Sequence, residues 1–436
     1  MNILYIHTHD TGKFIQPYGY QVETPNLMKF AERGTVFRSA FSAAPTCSPS
    51  RAALLTGEYP HNCGMFGLAH RGFEMEDYSH HIASYLKSFG YETVLCGIQH
   101  EAPAAEMIGY TRILDEQKFD MGCLEFDSET FDMENAKRVC SFLESKPHEP
   151  FFLSFGLFNT HRNYPEISSD INPDYVMSLP GLPDSEQIRK DTAAYITSAR
   201  IADAAIGEVL QKLEDSGLAE NTIVLYTTDH GLAFPGMKCT LYDQGTAVGL
   251  IFDYPGNLSK GKVFDSLVSH IDVVPTIYDL CKIEKPHWLR GNSLVPILEG
   301  KENEIRREVY SEVTFHAAYE PMRAVRTKRY KFIRRYDEKL SVMLANIDDS
   351  ASKSFLFENG CFKMPYSRTE LYDLYKDPTE KNNLAGKEGY IHICDKMSGL
   401  LDTWMKETGD PLLDGCVRAP KGAFVNSAQD YTAKRR

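Results

Sequence analysis

Short apolar, β-branched runs alternate with segments of helical period through about the first two thirds of the chain. The runs that predict buried strands are 3–7, 93–96, 151–155, 222–226 and 249–252. The periodic segments predict helices over 25–33, 48–55, 81–88, 134–144, 191–213 and 273–281. This alternation is typical of an α/β fold, in which helices cover both faces of a large, mostly parallel sheet.

The pattern changes near residue 305. Segments 309–313, 323–326 and 330–334 predict short antiparallel strands, and 386–408 predicts a helix with charged faces. The charged stretch 302–307 has no periodicity and fits either a linker or a solvated loop. We therefore predict a large domain over residues 1–304 and a smaller C-terminal α+β domain over 305–436.

Composition and charge narrow the classes of protein that fit. The formal net charge is -13, which argues against a nucleic-acid partner and gives no sign of an anionic membrane partner. No run approaches the roughly 18 apolar residues that a membrane span needs. The ten cysteines contain no Cys-x-x-Cys pair, which favours reduced core residues. The first residues enter a strand without a visible leader, so we expect a cytoplasmic protein.

Cys47 lies where a helix is predicted to begin. Ser48 is a plausible N-cap and Pro49 fits the first helical position. The free N–H groups and the dipole of a helix N-terminus favour a bound anion, and Arg51 can add a contact to an oxyanion. A lone cysteine is more commonly a small buried apolar residue, so the assignment depends on its neighbours.

Acidic and imidazole side chains follow two of the predicted strands. Asp10 follows the first strand, and Asp229 and His230 follow the strand at 222–226. Open α/β sheets place their ligand-binding residues at the carboxyl ends of strands, so these side chains are candidates for one site. An Asp-His-Gly sequence alone is more commonly an ordinary turn.

The run Cys47-Ser48-Pro49-Ser50-Arg51, with Leu55-Thr56-Gly57 shortly after it, resembles the type I, formylglycine-dependent sulfatases of the alkaline phosphatase superfamily. The resemblance spans nearly the whole chain and implies an alkaline phosphatase-like fold, with residues 1–304 as the catalytic domain. It also implies that a maturation enzyme oxidises Cys47 to formylglycine, which is the catalytic nucleophile. Arg51 is then expected to contact sulfate.

The same resemblance implies a divalent cation, calcium in most members, bound by Asp10, Asp229 and His230. His9 stands where the family has a second aspartate. It is either a fourth metal ligand or a histidine that hydrogen-bonds to a ligand. Carboxylates suit calcium, whereas two imidazoles admit other divalent ions, so the identity of the metal stays open.

Three further side chains match family positions that act on sulfate or on protons. Lys238 matches a lysine that touches sulfate, His100 a histidine near the nucleophile, and His161 a histidine that protonates the leaving group. A surface lysine and structural histidines are the alternatives. Ile98 replaces a second family lysine, so one expected positive charge is missing.

The C-terminal part of the chain looks most like the heparan N-sulfatases, or sulfamidases, within this family. That likeness implies hydrolysis of sulfate esters or sulfamates of a carbohydrate, in particular of a sulfated glucosamine from a glycosaminoglycan. Glu312, His316 and Arg323 are then candidates for binding the sugar, although strand-borne charges are more commonly solvated. The alternatives are a phosphonate or phosphodiester hydrolase of the same superfamily and an inactive carbohydrate-binding homologue.

Overall fold

The computed structural model describes residues 1–114 and 127–434, which form two β-sheets with helices packed around them. Nine described strands form the large sheet. They are β1 Asn2–Thr8, β2 Thr35–Phe41, β3 Glu92–Gly97, β4 Arg112–Ile113, β5 Phe151–Gly156, β6 Thr222–Thr228, β7 Ala247–Val248, β8 Leu250–Asp253 and β9 Val263–Ser269.

Strand β1 lies near the centre of the large sheet, between β5 and β6 and parallel to both. The strand order is β4-β3-β5-β1-β6-β8-β2-β7, and β9 pairs in parallel with β2. Strand β8 is antiparallel to its neighbours β6 and β2, and β7 is antiparallel to β2. The mostly parallel α/β sheet predicted from the sequence is therefore confirmed. Every residue of β1, β5 and β6 is buried, which explains their continuous apolar pattern.

Helices flank both faces of this sheet and also pack on the smaller one. The described α-helices are α1 Pro25–Arg33, α2 Cys47–Thr56, α3 Pro60–Cys63, α4 Ile82–Ser88, α5 Ser128–Glu144, α6 Glu186–Asp215, α7 Asp243–Thr246, α8 Val273–Cys281, α9 Val295–Leu298, α10 Ala351–Glu358 and α11 Ile391–Thr408. All six helices predicted in the first part of the chain are present. Helices α5 and α6 begin earlier than predicted because Asp127 and Ser185 cap their first turns.

The second sheet is antiparallel throughout, as predicted. Its strands, in spatial order, are β10 Glu308–Phe315, β11 Tyr319–Thr327, β12 Tyr330–Arg335 and β13 Thr369–Asp373. Helix α11 packs on this sheet through an apolar cluster that includes Leu401, Trp404 and Phe332. The sheet begins shortly after residue 304, and the division of the chain at 304/305 stays a prediction.

The strands that were not predicted are β2, β4, β7, β9 and β13, and the helices that were not predicted are α3, α7, α9 and α10. Strand β2 carries the exposed Arg38 and β9 has an exposed first half, so neither reads as a continuous apolar run. No helix within the described residues is long and apolar enough to cross a membrane.

Candidate active site

Two buried aspartates meet at the carboxyl edge of the large sheet. Asp10 follows β1 and Asp229 follows β6, and the backbone N–H of Asp10 donates to Asp229 Oδ1 at 2.8 Å. Because β1 and β6 are adjacent parallel strands, their carboxyl ends lie side by side. Asp10 has a φ of 53°, a left-handed conformation that aspartate tolerates better than most residues. The shared edge expected from the sequence is thus observed.

Cys47 is the first residue of helix α2 and is buried beside this aspartate pair. Its Sγ lies 3.4 Å from His230 Nε2. The expected cap is wrong: Thr46 occupies the N-cap position, and the Ser48 hydroxyl instead accepts the backbone N–H of Ala69 at 3.0 Å. Pro49 accordingly stands at the third helical position. Cys47 nevertheless sits at a helix N-terminus, which was the expectation that mattered for anion binding.

Arg51 does not present a free guanidinium to an anion. Its side chain is 1% exposed, and Nη2 donates to Asp229 Oδ2 at 2.9 Å and to the Thr8 carbonyl at 3.2 Å. Nη1 lies 2.5 Å from His7 Nδ1. Helix α2 directs the Arg51 side chain toward the ends of β1 and β6, where it forms an ion pair with Asp229. Its Nε has no hydrogen-bond partner within the described residues, and the expected contact to sulfate stays a prediction.

Positive charges and imidazoles keep the two carboxylates ionised. Burial alone raises the pKa of Asp10, but Lys238, His161 and His230 overcome it and hold that pKa well below its usual range. Burial also raises the pKa of Asp229, but His230, Arg51 and His9 overcome this effect and hold that pKa well below its usual range. The site thus contains two buried anions with matching cations.

Oxygen and nitrogen atoms in this group are spaced as metal ligands. Ligand atoms of His9, Asp10, Cys47 and Asp229 all lie within 4.8 Å of one another. Two ionised carboxylates are the donors that a hard divalent cation prefers, so the residues present fit such an ion. His230 Nε2 lies 3.3 Å from Asp10 Oδ1, at the border of the same group.

His9 turns one ring nitrogen toward both carboxylates. His9 Nδ1 lies 3.0 Å from Asp10 Oδ1 and 3.1 Å from Asp229 Oδ2, whereas the buried Nε2 has no hydrogen-bond partner within the described residues. Burial lowers the pKa of His9 to about 4, so its ring is neutral near pH 7. A neutral ring that donates from Nδ1 leaves the lone pair on Nε2 free. Both roles that the sequence allowed for His9, ligand and hydrogen-bond partner, fit these contacts.

His161 borders Asp10, and ligand atoms of His100, His9 and Cys47 lie within 4.8 Å of one another. His161 Nε2 lies 4.0 Å from Asp10 Oδ2, and its ring centroid is 4.7 Å from that of His9. Burial lowers the pKa of His161. His100 Nε2 lies 2.8 Å from Nδ1 of the exposed His70, and burial holds the pKa of His100 well below its usual range. His70 was not identified from the sequence.

Lys238 is the cation nearest to Asp10. Its Nζ lies 2.8 Å from Asp10 Oδ2 and 3.1 Å from Asp348 Oδ2, and its side chain is 3% exposed. Electrostatic interactions with Lys238 and Asp348 act on the buried His316, which lies on the turn after β10. The structure thus places His316 close to the site. Asp348 was missed because it precedes helix α10 in a sequence that reads as an ordinary capping segment. Ile98, where a lysine was expected, is fully buried.

Glu312 and Arg323 lie in a different cluster. Arg323 is fully buried and pairs with Asp410 at 2.5 Å, while the Glu312 carboxylate accepts the backbone N–H of His61 at 2.9 Å. Both side chains are engaged by protein partners inside this cluster, and their expected role in binding a sugar stays a prediction. They form an internal ion-pair network between the second sheet and α3.

The site as a whole combines three capacities. The carboxylate pair can bind a cation, Lys238 and the N-terminus of α2 can bind an anionic group, and the imidazoles can transfer protons. Cys47 lies beside the carboxylate pair and His230, at the N-terminus of α2. The fold and the site together define an enzyme of the α/β class whose active site suits a negatively charged ester or amide group.

Comparison with known proteins identifies the family. Residues 1–283 match the family model described as Sulfatase, and residues 234–353 match the model described as N-sulphoglucosamine sulphohydrolase, C-terminal. The chain therefore belongs to the sulfatase family.

Relatives cover nearly the whole chain. It is 30% identical to an ulvan-active sulfatase of Formosa agariphila, over 92% of this chain and 79% of that protein. It is 29% identical to the N-sulphoglucosamine sulphohydrolase of Homo sapiens, over 92% of this chain and 88% of that protein. A solved 2-O GAG sulfatase shares the fold, with a TM-score of 0.76 and 23% identity over 100% of this chain and 98% of the other.

Proposed function

We propose that the protein hydrolyses sulfate esters or sulfamates of a carbohydrate, and that its substrate is a sulfated glucosamine from a glycosaminoglycan. One observation carries the proposal: Cys47 stands at a helix N-terminus, with its Sγ 3.4 Å from His230 Nε2 and within 4.8 Å of carboxylate oxygens of Asp10 and Asp229. The match of residues 234–353 to the C-terminal model of N-sulphoglucosamine sulphohydrolases supports the glucosamine assignment.

The reaction requires that a maturation enzyme oxidise Cys47 to formylglycine. The hydrated aldehyde would supply an oxygen nucleophile at sulfur. A divalent cation, for which we propose calcium, would when bound make that oxygen more acidic and stabilise negative charge on the sulfuryl group. Asp10 and Asp229 would hold the cation, with His230 and His9 beside them. The ion pair between Arg51 and Asp229 fixes the direction of one of these carboxylates.

The other residues bind the anion and move a proton. Lys238 and the first N–H groups of α2 lie where they can stabilise charge on the sulfuryl oxygens, and removing one such donor typically costs about 3 kcal/mol of transition-state stabilisation. His161 is the proposed acid for the leaving group. Its Nδ1 contacts the Arg162 carbonyl, which leaves Nε2 directed toward Asp10 and the reacting group.

A substrate panel tests the proposal. The chain is co-expressed with a formylglycine-generating enzyme, loaded with calcium and assayed on glucosamine N-sulfate, glucosamine 6-O-sulfate and the matching phosphate and phosphonate esters. We expect sulfate release from at least one sulfated glucosamine to exceed hydrolysis of the phosphorus esters. Faster hydrolysis of the phosphorus esters would make the protein a phosphonate or phosphodiester hydrolase. No turnover on any substrate, with formylglycine present, would favour an inactive carbohydrate-binding protein.

A further inference from the structure

Asp348 lies beside the active-site lysine but comes from a different part of the fold. It belongs to the segment between β12 and α10, which the second sheet brings to the carboxyl edge of the large sheet. Asp348 Oδ2 lies 3.1 Å from Lys238 Nζ. The Asp348 side chain is 23% exposed, whereas those of Lys238 and Asp10 are 3% and 0% exposed. Of the two carboxylate residues that pair with Lys238, Asp348 is therefore the one whose side chain has exposed surface.

The hydrogen bonding of Asp348 is incomplete. Its buried Oδ2 is within ion-pair distance of Lys238 but receives no hydrogen bond from the residues that the structure describes. The charged groups that act on it electrostatically are Lys238, Asp10, His161 and His316, which are the groups around the proposed reaction centre. A carboxylate in such a place repels an anionic substrate unless the substrate brings a hydrogen-bond donor to it.

The atom bonded to the sulfuryl group is the one that decides whether such a donor is present. In a sulfamate this atom is a nitrogen that carries an N–H, whereas in a sulfate ester it is an oxygen without hydrogen. The hydroxyl of the nucleophile loses its proton before it attacks. As the sulfur–nitrogen bond breaks, sulfur gains a bond to this deprotonated oxygen, and the electron pair of the broken bond stays on nitrogen. The nitrogen takes one proton from His161 and carries positive charge while it is still bonded to sulfur.

On the basis of the function proposed above, we propose that Asp348 accepts a hydrogen bond from the leaving nitrogen of an N-sulfated amino sugar and so makes the site selective for sulfamates. Asp348 keeps its own protonation state throughout. It stabilises the cationic leaving nitrogen by charge, and it opposes the negative charge that develops on an oxygen leaving group. The substrate class assigned by this contact is an amino sugar with its sulfate on nitrogen.

Two substrates and two neighbouring variants test this assignment. The matured, calcium-loaded wild type, Asp348→Asn and Asp349→Asn are assayed on glucosamine N-sulfate and on 4-nitrophenyl sulfate, whose leaving oxygen needs neither a proton nor an anion beside it. Asp349 is the matched control, because its side chain is 52% exposed and pairs with Lys353 outside the site.

We expect Asp348→Asn to lower kcat/KM on glucosamine N-sulfate by roughly 10- to 100-fold, the range for losing a hydrogen bond to a charged group. The same variant should not lower hydrolysis of 4-nitrophenyl sulfate and should raise it, because the carboxylate no longer opposes the negative charge on the leaving oxygen. Asp349→Asn should resemble the wild type on both substrates. Circular dichroism verifies that each variant is folded, and Asp348→Glu, which keeps the charge, should recover part of the N-sulfate activity.

Each contrary result overturns a different statement. An equal loss on both substrates would show that Asp348 only positions Lys238, and no loss on either would show that it does not meet the substrate. A wild type that hydrolyses 4-nitrophenyl sulfate but not glucosamine N-sulfate would refute the selectivity for sulfamates. A matured wild type that hydrolyses neither would instead count against the proposed function itself.

Discussion

Replacing Arg51 distinguishes the role seen in the structure from the role expected from the sequence. The guanidinium is 1% exposed and donates to Asp229 and to the Thr8 carbonyl, so its loss leaves the buried Asp229 carboxylate without the guanidinium that pairs with it. Removing one partner of a buried ion pair typically costs about 3–5 kcal/mol. Methionine fills a similar volume without charge, so Arg51→Met isolates the electrostatic part of this loss.

The assay is urea unfolding followed by far-UV circular dichroism, with EDTA present so that bound metal does not mask the effect. We expect Arg51→Met to lower the free energy of unfolding by about 3–5 kcal/mol. Arg38→Met is the matched control: Arg38 is exposed on β2, and surface substitutions usually change this free energy by less than about 0.5 kcal/mol.

The opposite pattern would refute this reasoning. If Arg51→Met unfolds like the control but raises KM for sulfated substrates, then Arg51 binds sulfate directly and the ion pair with Asp229 is not its principal role. If both variants lower the free energy of unfolding equally, the loss does not come from breaking the buried Arg51–Asp229 ion pair.

Two further substitutions test the histidines. His9→Asp supplies a third carboxylate and should raise the affinity for Ca²⁺ relative to Zn²⁺ by about tenfold or more; calorimetric titrations that give the same ratio for both proteins would exclude His9 from the metal site. His81 is buried and caps α4, and burial lowers its pKa to about 3, so the folded state stays neutral while the unfolded chain takes up a proton below a pKa of about 6.5. The stability advantage of wild type over His81→Asn should therefore shrink by up to about 2 kcal/mol between pH 7 and pH 5 in urea unfolding, and a constant difference would contradict the burial argument.

The residues that could be predicted from the sequence share a simple relation to the strands. Asp10 and Asp229 each follow a buried strand, and adjacent parallel strands end at one edge, so local patterns were sufficient to bring them together. Cys47 was predicted at a helix N-terminus, although Thr46 and not Ser48 occupies the cap position. Boundaries shifted where polar caps extend a helix beyond its apolar pattern, as at Asp127.

What the sequence could not predict is how deeply a side chain is buried and which distant residues it contacts. Nothing in the local sequence shows that Arg51 points inward to Asp229, since the same residue type at a helix N-terminus also fits an exposed anion site. Arg323 was expected to bind the sugar. In the structure it forms a buried ion pair with Asp410, which lies 87 residues away in the sequence. Asp348 reaches Lys238 only because the second sheet packs against the large one, a contact that no local pattern encodes.

Sulfate release by the matured protein and by its Cys47→Ala variant tests the central claim most directly. Both proteins are co-expressed with a formylglycine-generating enzyme, loaded with the same divalent ion and assayed on the same sulfated glucosamine. We expect turnover by the wild type and none above background by Cys47→Ala, with both proteins equally folded. Hydrolysis by Cys47→Ala at the wild-type rate would contradict it, because the oxygen that attacks sulfur would then not come from residue 47.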